Sequence, residues 1–254
     1  MRRVLVAALI LLCMFLPFLP GRYDGMAAAL SLMAQVMGMA GLLLVPAGAL
    51  WLAFDRPVFR ILAAAALIFV WAFVAIAALV QNGFVLGVLV LAAGIFAAKR
   101  VWRRITPLDL IVVPILVALV QFTLIERAVV FSRNTAIHNS APLIAAIEHY
   151  RQTNGQYPET LFAVNPDLWP GVVGISIYHY ERHGDAYNLY FEQFSNRLGN
   201  REIVVYNPRD EHVMTSHSID ILQLTPEQLA LERTRGHYAL LDAPSPHWKY
   251  YWFD

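Results

Sequence analysis

The stretch "IEHYRQTNGQYPETL", from Ile147 to Leu161, separates a lipid-soluble part of the chain from a part with the composition of a water-soluble domain. A glycine just past the last turn commonly ends a helix in a left-handed conformation, and Gly155 has that place. Pro158 then favours an extended conformation at Tyr157. The stretch therefore predicts a helix that ends at Gly155 and leads into a sheet, with Tyr150 and Tyr157 facing that sheet.

Residues after this stretch alternate between apolar and polar side chains, which is typical of strands. Upstream of it, helical spacing extends from Arg127, with Pro142 as a bend or a break between two helices. A further helix is predicted from Thr225 to Gly236, because Thr225, Pro226 and Gln228 follow the pattern of a helix start. The fold class predicted for residues 127–254 is an α+β domain, one long helix packed on an antiparallel sheet. Its strands are "ISIYHY", "AYNLYFEQF", "EIVVYN", "HYALLD" and "HWKYYWFD". The turn signal "ERHGD" joins the first two strands as a hairpin. Asp185 and Asp210 fall in turn positions, which aspartate favours.

Residues 1–126 have the composition of a transmembrane domain. The whole chain of 254 residues is 58% hydrophobic and 15% charged, whereas soluble domains carry about 25% charged residues. A helical span needs about 20 apolar residues. Pro46 is a predicted kink site in the long second run. The sequence predicts a bundle of about five helices in a lipid bilayer, with spans at 4–19, 26–54, 58–80, 84–98 and 108–125.

Lysine and arginine concentrate in alternate connections, which predicts the orientation because basic loops stay cytoplasmic. The connections between them carry Arg22 with Asp24, or no charge at all. The amino terminus is therefore expected in the cytoplasm and residues 127–254 outside. The basic connections contain Arg2 and Arg3, then Arg56 and Arg60, then Lys99, Arg100, Arg103 and Arg104.

The first apolar run also has the features of a signal peptide, since Arg2 and Arg3 precede it. Signal cleavage requires small residues at alternating positions, which "FLPFLPGRYDG" does not offer in that pattern. We therefore expect the run to stay as a span. Cleavage would leave four crossings and the same external carboxyl half.

Polar residues within spans are functional candidates by default. Asp109 closes a predicted capping box with Thr106, which accounts for it structurally. Gln35 and Gln121 are expected to bond between helices, and Gly38 with Ala34 is expected to allow close helix packing. These patterns favour helix packing over a transport pathway.

The pattern of Ile147, Tyr150, Gly155, Tyr157, Pro158 and Leu161, followed by a hairpin, resembles the head domain of type II secretion pseudopilins. The resemblance covers about 70 residues of residues 127–254. It implies a spine helix on a small sheet, and a bacterial inner-membrane protein with a periplasmic domain.

The membrane part departs from the pseudopilin family. A pseudopilin begins with a leader, a glycine at the cleavage site and then a single apolar helix. Here "QFTLIE" has Gln121 in place of that glycine, and the apolar run precedes Phe122. We expect no cleavage at Phe122 and no pilus assembly, so that only the head shape carries over.

No residue pattern predicts a catalytic, cofactor-binding or metal-binding site. The net charge of +1 argues against a nucleic-acid partner, and a single cysteine, Cys13, allows no intrachain disulfide. The histidines lack the spacing of zinc proteases. The expected role is binding or scaffolding, with an envelope protein as partner. The alternatives are a membrane enzyme with a site at the junction of the two domains and an accessory subunit of a transporter.

Overall fold

The computed structural model divides the chain into two compact units. The first comprises Met1–Pro17 and Gly25–Arg127, and the second comprises Phe18–Asp24 and Ala128–Asp254. The sequence places its boundary after Glu126 and does not anticipate that the connection 18–24 joins the second unit. The structure describes residues 2–82, 84–101, 104–164, 169–195, 201–210, 212 and 240–253.

The first unit is helical, and each predicted span lies on one or two of its helices. Three stretches of the described chain are long and apolar enough to cross a membrane, Gly25–Phe54, Pro57–Leu79 and Pro107–Asn154, whereas Arg3–Phe18 and Val85–Phe96 are shorter. These stretches support a transmembrane protein, and the count of five spans stays a prediction. The helices are α1 (Arg2–Phe15), α2 (Gly25–Ala40), α3 (Leu44–Phe54), α4 (Pro57–Asn82), α5 (Phe84–Val101) and α6 (Pro107–Asn139). The part of α6 from Ala128 onward belongs to the second unit.

The second predicted span is interrupted near its proline. A 3₁₀ turn at Gly41–Leu43 separates α2 from α3. Pro46 has no amide hydrogen to donate to the carbonyl of Leu42, four residues earlier, and its ring crowds that carbonyl. The structure therefore shows an irregular backbone one turn before Pro46, where the sequence predicts a kink.

Glycines bring α2 and α3 close to α6 in the first unit. A β-carbon on Gly38 would lie 2.1 Å from Oε1 of Gln121, and one on Gly48 would lie 3.0 Å from the side chain of Leu110. From Gly38 to Gly48 the residue numbers rise along α2 and α3, whereas those of the contacted residues on α6 fall from Gln121 to Leu110. The two segments therefore run antiparallel. This confirms the close packing predicted at Gly38.

The second unit contains a helix and five strands, α7 (Ala141–Asn154), β1 (His179–His183), β2 (Ala186–Phe194), β3 (Arg201–Tyr206), β4 (Leu241–Asp242) and β5 (Trp248–Phe253). The strands form an antiparallel sheet in the order β1-β2-β3-β5-β4. A two-residue turn at Gly184 and Asp185 joins β1 to β2, as the sequence predicts. The predicted strand "ISIYHY" was placed too early, since β1 begins only at its fifth residue. The predicted helix at 225–236 lies outside the described residues.

Helices α6 and α7 contribute to the core that covers one face of the sheet. Leu143 and Ile147 of α7 are buried there, together with Tyr157 from the turn that follows. Tyr150 is half-buried and, among the described residues, lies outside this core, so its predicted packing on the sheet is wrong. Positions 143 and 147 lie on the helix face that packs on the sheet. The hydroxyl of Tyr157 forms hydrogen bonds with the side chains of Glu148 and Arg151, which lie near the end of α7. The core residues of β2 on this face are Tyr187, Leu189 and Phe191.

Candidate functional site

A buried ion pair joins α6 to the sheet within the second unit. Nε and Nη2 of Arg133 donate to the two carboxylate oxygens of Glu202 on β3, at 2.7 and 2.9 Å. The side chains are 3% and 0% exposed. The guanidinium carbon of Arg133 lies 3.5 Å from the ring centroid of Tyr250 on β5. Nε2 of Gln193 on β2 donates to Glu202 at 2.7 Å, so the network connects one helix to three strands.

The burial of this network excludes its charged groups from contact with a substrate. A group that takes part in catalysis must reach a substrate, and neither Arg133 nor Glu202 is accessible. Removing one partner of a buried pair leaves an uncompensated charge, which is strongly destabilising. The network therefore fixes the register of α6 on the sheet. Sequence reasoning missed it, although Glu202 follows the inward period of Val204 and Tyr206 on β3.

A second polar cluster forms where α7 ends and the chain turns toward the sheet. The carboxylate of Glu148 accepts hydrogen bonds from the hydroxyls of Tyr157 and Tyr187, at 3.2 and 3.3 Å. Arg151 donates to the Tyr157 hydroxyl at 2.8 Å, and its guanidinium carbon lies 4.6 Å from the centre of that ring. Gly155 has a φ of 74°, a left-handed value that favours glycine, which confirms the predicted helix end.

Burial is the main cause of a raised pKa at both tyrosines of this cluster. It raises the pKa of Tyr157 above its ordinary value, with the negative charge of Glu148 as the next cause. It also raises the pKa of Tyr187, which packs edge-on against Tyr157 with ring centroids 4.8 Å apart. Both phenols therefore stay protonated at neutral pH and donate to Glu148. The arrangement closes the turn after α7 onto the sheet.

Histidine and aspartate meet in the turns beside β5. Asp210 and His247 both have left-handed backbones, with φ of 57° and 64°, and Nδ1 of His247 lies 2.9 Å from Oδ2 of Asp210. Nε2 of His212 donates to the carbonyl of His247 at 3.0 Å, and its buried Nδ1 has no hydrogen-bond partner among the described residues. Burial, followed by the charge of Lys249, lowers the pKa of His212. The sequence assigned Asp210 to a turn but did not anticipate the burial of His212.

A line of uncharged polar groups connects three helices inside the first unit. The Ser31 hydroxyl donates to the carbonyl of Met14 at 2.6 Å, and Gln35 donates to the Ser31 oxygen at 3.2 Å. Gln121 on α6 donates to the carbonyl of Gln35 at 3.3 Å. The predicted hydrogen bonding between helices is confirmed for Gln121, whereas the side chain of Gln35 bonds to Ser31 on its own helix. Since each donor is directed at a neighbouring helix or turn, the line stabilises helix packing.

The start of α6 carries the predicted cap and an additional ion pair. The backbone amide of Thr106 donates to Oδ2 of Asp109 at 2.8 Å, which confirms that Asp109 reaches back to the cap residue. Arg3 on α1 donates from Nε to Oδ1 of the same carboxylate at 2.6 Å. The first turn of α1 and the first turn of α6 are therefore neighbours in the first unit.

The connection between α1 and α2 pairs with a loop of the second unit. The amide of Gly21 donates to the carbonyl of Gly171, and the amide of Val173 donates to the carbonyl of Leu19, both at 2.9 Å. Pro20 and Val172 face each other as an antiparallel bridge. Asn139, the last residue of α6, donates to the carbonyl of Pro170 at 2.9 Å and holds the same loop.

Comparisons with protein-family models, with curated proteins and with solved structures gave no match. Within the described part of the chain, no three histidine, cysteine, aspartate or glutamate side chains are grouped so that they could hold a metal ion. The geometry of the chain itself is therefore the basis for a functional proposal.

Proposed function

We propose that this chain is a multi-pass protein of the bacterial inner membrane that presents a periplasmic α+β domain for binding or scaffolding. In this proposal the amino terminus is cytoplasmic, five helical segments cross the bilayer, and residues 127–254 meet a partner protein of the cell envelope. The observation that carries the proposal is the backbone pairing of residues 19–24 with residues 171–173.

The pairing supports an even number of crossings between the two paired segments. Residues that bond directly to each other lie on the same side of a membrane. The three long apolar stretches, Gly25–Phe54, Pro57–Leu79 and Pro107–Asn154, would make three crossings after residue 24 and leave the partners on opposite sides. A fourth crossing resolves this conflict, and the apolar helix α5 provides it.

The ion pair of Arg3 with Asp109 supports a crossing by α1. In the proposed topology the apolar part of α6 crosses the bilayer, so Asp109 near its start and Ala128 beyond it would lie on different sides. Arg3 shares the side of Asp109 because their side chains are in contact. Residues 19–24 share the side of the second unit, and α1 therefore connects the two sides.

The distribution of basic residues supports the assignment of those two sides. Arg3 and Asp109 lie at the end of the helices where lysine and arginine concentrate, and basic connections remain cytoplasmic. The second unit then faces the periplasm. The buried ion pair of Arg133 and Glu202 in this unit is sealed from solvent and cannot reach a substrate.

The resemblance of residues 147–161 to pseudopilin heads stays part of the proposal. The left-handed Gly155 and the buried Tyr157 are consistent with a spine helix that ends in a fixed turn against a sheet. Leu161, the last residue of the pattern, also packs against the core.

Single cysteines test the proposed topology. The chain has one native cysteine, so Cys13→Ser provides a background without thiols. Cysteines at Arg22 and Asn154 should react with a membrane-impermeant maleimide in intact spheroplasts, whereas cysteines at Arg56 and Arg104 should react only after permeabilisation. Labelling of Arg22 and Asn154 from different sides would refute the proposal.

A photo-crosslinking residue tests the binding role in cells. Phe162 is 84% exposed in a short turn of the second unit, which is unusual for a large apolar side chain, whereas Thr153 is an exposed polar residue at the end of α7. A probe at Phe162 should give a discrete adduct with an envelope protein, and a probe at Thr153 should give a weaker one or none. Equal diffuse labelling from both positions would contradict a specific binding surface there.

A further inference from the structure

An arginine and a tryptophan form an exposed pair beside the paired backbone of the second unit. The guanidinium carbon of Arg22 lies 5.2 Å from the ring centroid of Trp169, within the range of a cation–π interaction. Trp169 is 56% exposed, and Tyr23 and Leu19 on the same connection are 51% and 45% exposed. The second unit thus presents aromatic and apolar side chains around one cation.

The backbone around this pair is held in place. The amides of Gly21 and Asp24 donate to the carbonyls of Gly171 and Val173, each at 2.9 Å. The carbonyl of Pro170, the residue after Trp169, accepts a hydrogen bond from Asn139 at 2.9 Å. The exposure of Trp169 is therefore a feature of a fixed loop.

The position of these residues in the chain indicates what covers them. The connection has α1 before it and α2 directly after it, since α2 begins at Gly25. If both helices cross the bilayer, as the proposed function requires, a connection this short must lie at the membrane surface. Trp169 lies there as well, because it contacts Arg22. Tryptophan and tyrosine are enriched at membrane interfaces, where the ring contacts the acyl boundary and the polar edge stays hydrated.

We propose that Arg22, Tyr23 and Trp169 form a site for phospholipid headgroups on the outer membrane surface. The Arg22 guanidinium binds the lipid phosphate through charged hydrogen bonds, which a planar guanidinium forms well. The rings of Trp169 and Tyr23 occupy the glycerol and upper acyl region. The inference rests on the proposed function, because it requires crossings by α1 and α2.

Quenching by brominated phospholipids tests this site in the full-length protein. The chain is placed in nanodiscs of phosphatidylethanolamine and phosphatidylglycerol, with bromine either near the headgroup or near the bilayer centre. The quenchable part of the tryptophan fluorescence should fall in Trp169→Phe, and this loss should be larger with the shallow bromine. Trp248→Phe is the matched control, since Trp248 is buried in the core of the second unit and should not contribute to quenching.

Equal quenching of the wild-type protein and Trp169→Phe would overturn the site. Arg22→Gln should reduce the quenching of Trp169 by the shallow bromine, and an unchanged signal would also overturn the proposal. Maleimide labelling of cysteines introduced at Arg22 and Asn154 in intact spheroplasts separates the two ideas. Labelling from one side with an unquenched Trp169 would reject only the headgroup site, whereas labelling from opposite sides would reject the proposed function as well.

Discussion

The two units hold their helices in place by different polar chemistry. In the first unit, Ser31, Gln35 and Gln121 connect helices through uncharged hydrogen bonds, and Gly38 lets two backbones approach. In the second unit, the buried charges of Arg133 and Glu202 hold a helix to the sheet over an aromatic core.

The difference follows from the surroundings in which each unit is expected to fold. Lipid tails are as apolar as leucine, so helices in a bilayer gain their association from close packing and hydrogen bonds. A domain in water gains it from apolar burial, at about 25 cal/mol per Å², and can then carry a buried ion pair that fixes the register. A substitution that removes one of these interactions should therefore lower the stability of only the unit that contains it.

The largest effect is expected where a buried charge loses its partner. Arg133→Met leaves Glu202 buried without its cation and should destabilise the second unit by about 3–5 kcal/mol. The free energy of unfolding can be measured on the full chain in nanodiscs by urea-dependent proteolysis. The double variant Arg133→Met with Glu202→Met should recover most of the loss.

The exposed pair of Arg201 and Glu192 provides the control for that experiment. Their side chains are 56% and 21% exposed, and exposed ion pairs contribute about 0–1 kcal/mol. Arg201→Gln should therefore be nearly neutral. An Arg133→Met variant as stable as Arg201→Gln would show that the buried pair does not fix α6 on the sheet.

Of Tyr150 and Tyr157, only Tyr157 lies in the aromatic core, so only its truncation should lower the free energy of unfolding strongly. Tyr157→Ala removes a buried ring, which costs about 3 kcal/mol or more for large aromatic side chains. Tyr150→Ala removes a half-buried ring outside the core and should cost about 1 kcal/mol, the typical effect of a single substitution. Equal losses from the two variants, measured by the same proteolysis, would contradict the observed packing of α7.

In the helical unit the sensitive position is a glycine. Gly38→Ala would place a methyl group 2.1 Å from Oε1 of Gln121, and overpacking of this kind costs about 1–3 kcal/mol. The matched control is Gly41→Ala, whose new methyl group would meet its nearest neighbour, Pro114, at 3.6 Å, an ordinary contact. Thermal aggregation of the full chain in detergent should begin at a lower temperature only for Gly38→Ala. A matching decrease for Gly41→Ala would mean that close approach at Gly38 is not the cause.

The smallest effect is a dependence on pH in the second unit. Burial lowers the pKa of His212 below its unfolded value near 6.5. Between the folded and the unfolded pKa the unfolded chain binds more protons, so the free energy of unfolding falls as pH falls in that window. The stability that neutral His212 contributes is fully present above pH of about 6.5 and is lost as pH approaches the folded pKa. Urea midpoints measured at several pH values should show this decline, and His212→Gln should weaken it.

The sequence predicted those features that a local pattern encodes. The helix end at Gly155, the hairpin turn at Gly184, the cap at Asp109 and the interruption near Pro46 each follow from the backbone chemistry of a few neighbouring residues. Hydrogen bonding by Gln35 and Gln121 was predictable because amide side chains within apolar helices require partners.

Features that depend on distant contacts escaped prediction. Arg133 and Glu202 lie 69 residues apart, and a charged residue with helical spacing looks like a surface residue until its partner is known. Tyr150 was assigned to the core because it continues an apolar pattern, whereas the rotation of α7 on the sheet places Leu143 and Ile147 there. The pairing of residues 19–24 with residues 171–173 has no local signature in either segment.

In the proposed topology, that pairing requires residues 19–24 and residues 171–173 to share the oxidising side of the membrane, and a disulfide between the two segments tests this directly. Pro20 and Val172 form a bridge flanked by the hydrogen bonds of their neighbours. The Cα atoms of such pairs are about 4.5 Å apart, close enough for a disulfide, which spans about 4.4–6.8 Å. With Cys13 replaced by serine, Pro20→Cys combined with Val172→Cys should form a disulfide in living cells, seen as a gel shift that reductant abolishes. Each single variant should stay unshifted. Free thiols at both positions in a double variant made at normal levels would contradict the shared periplasmic location.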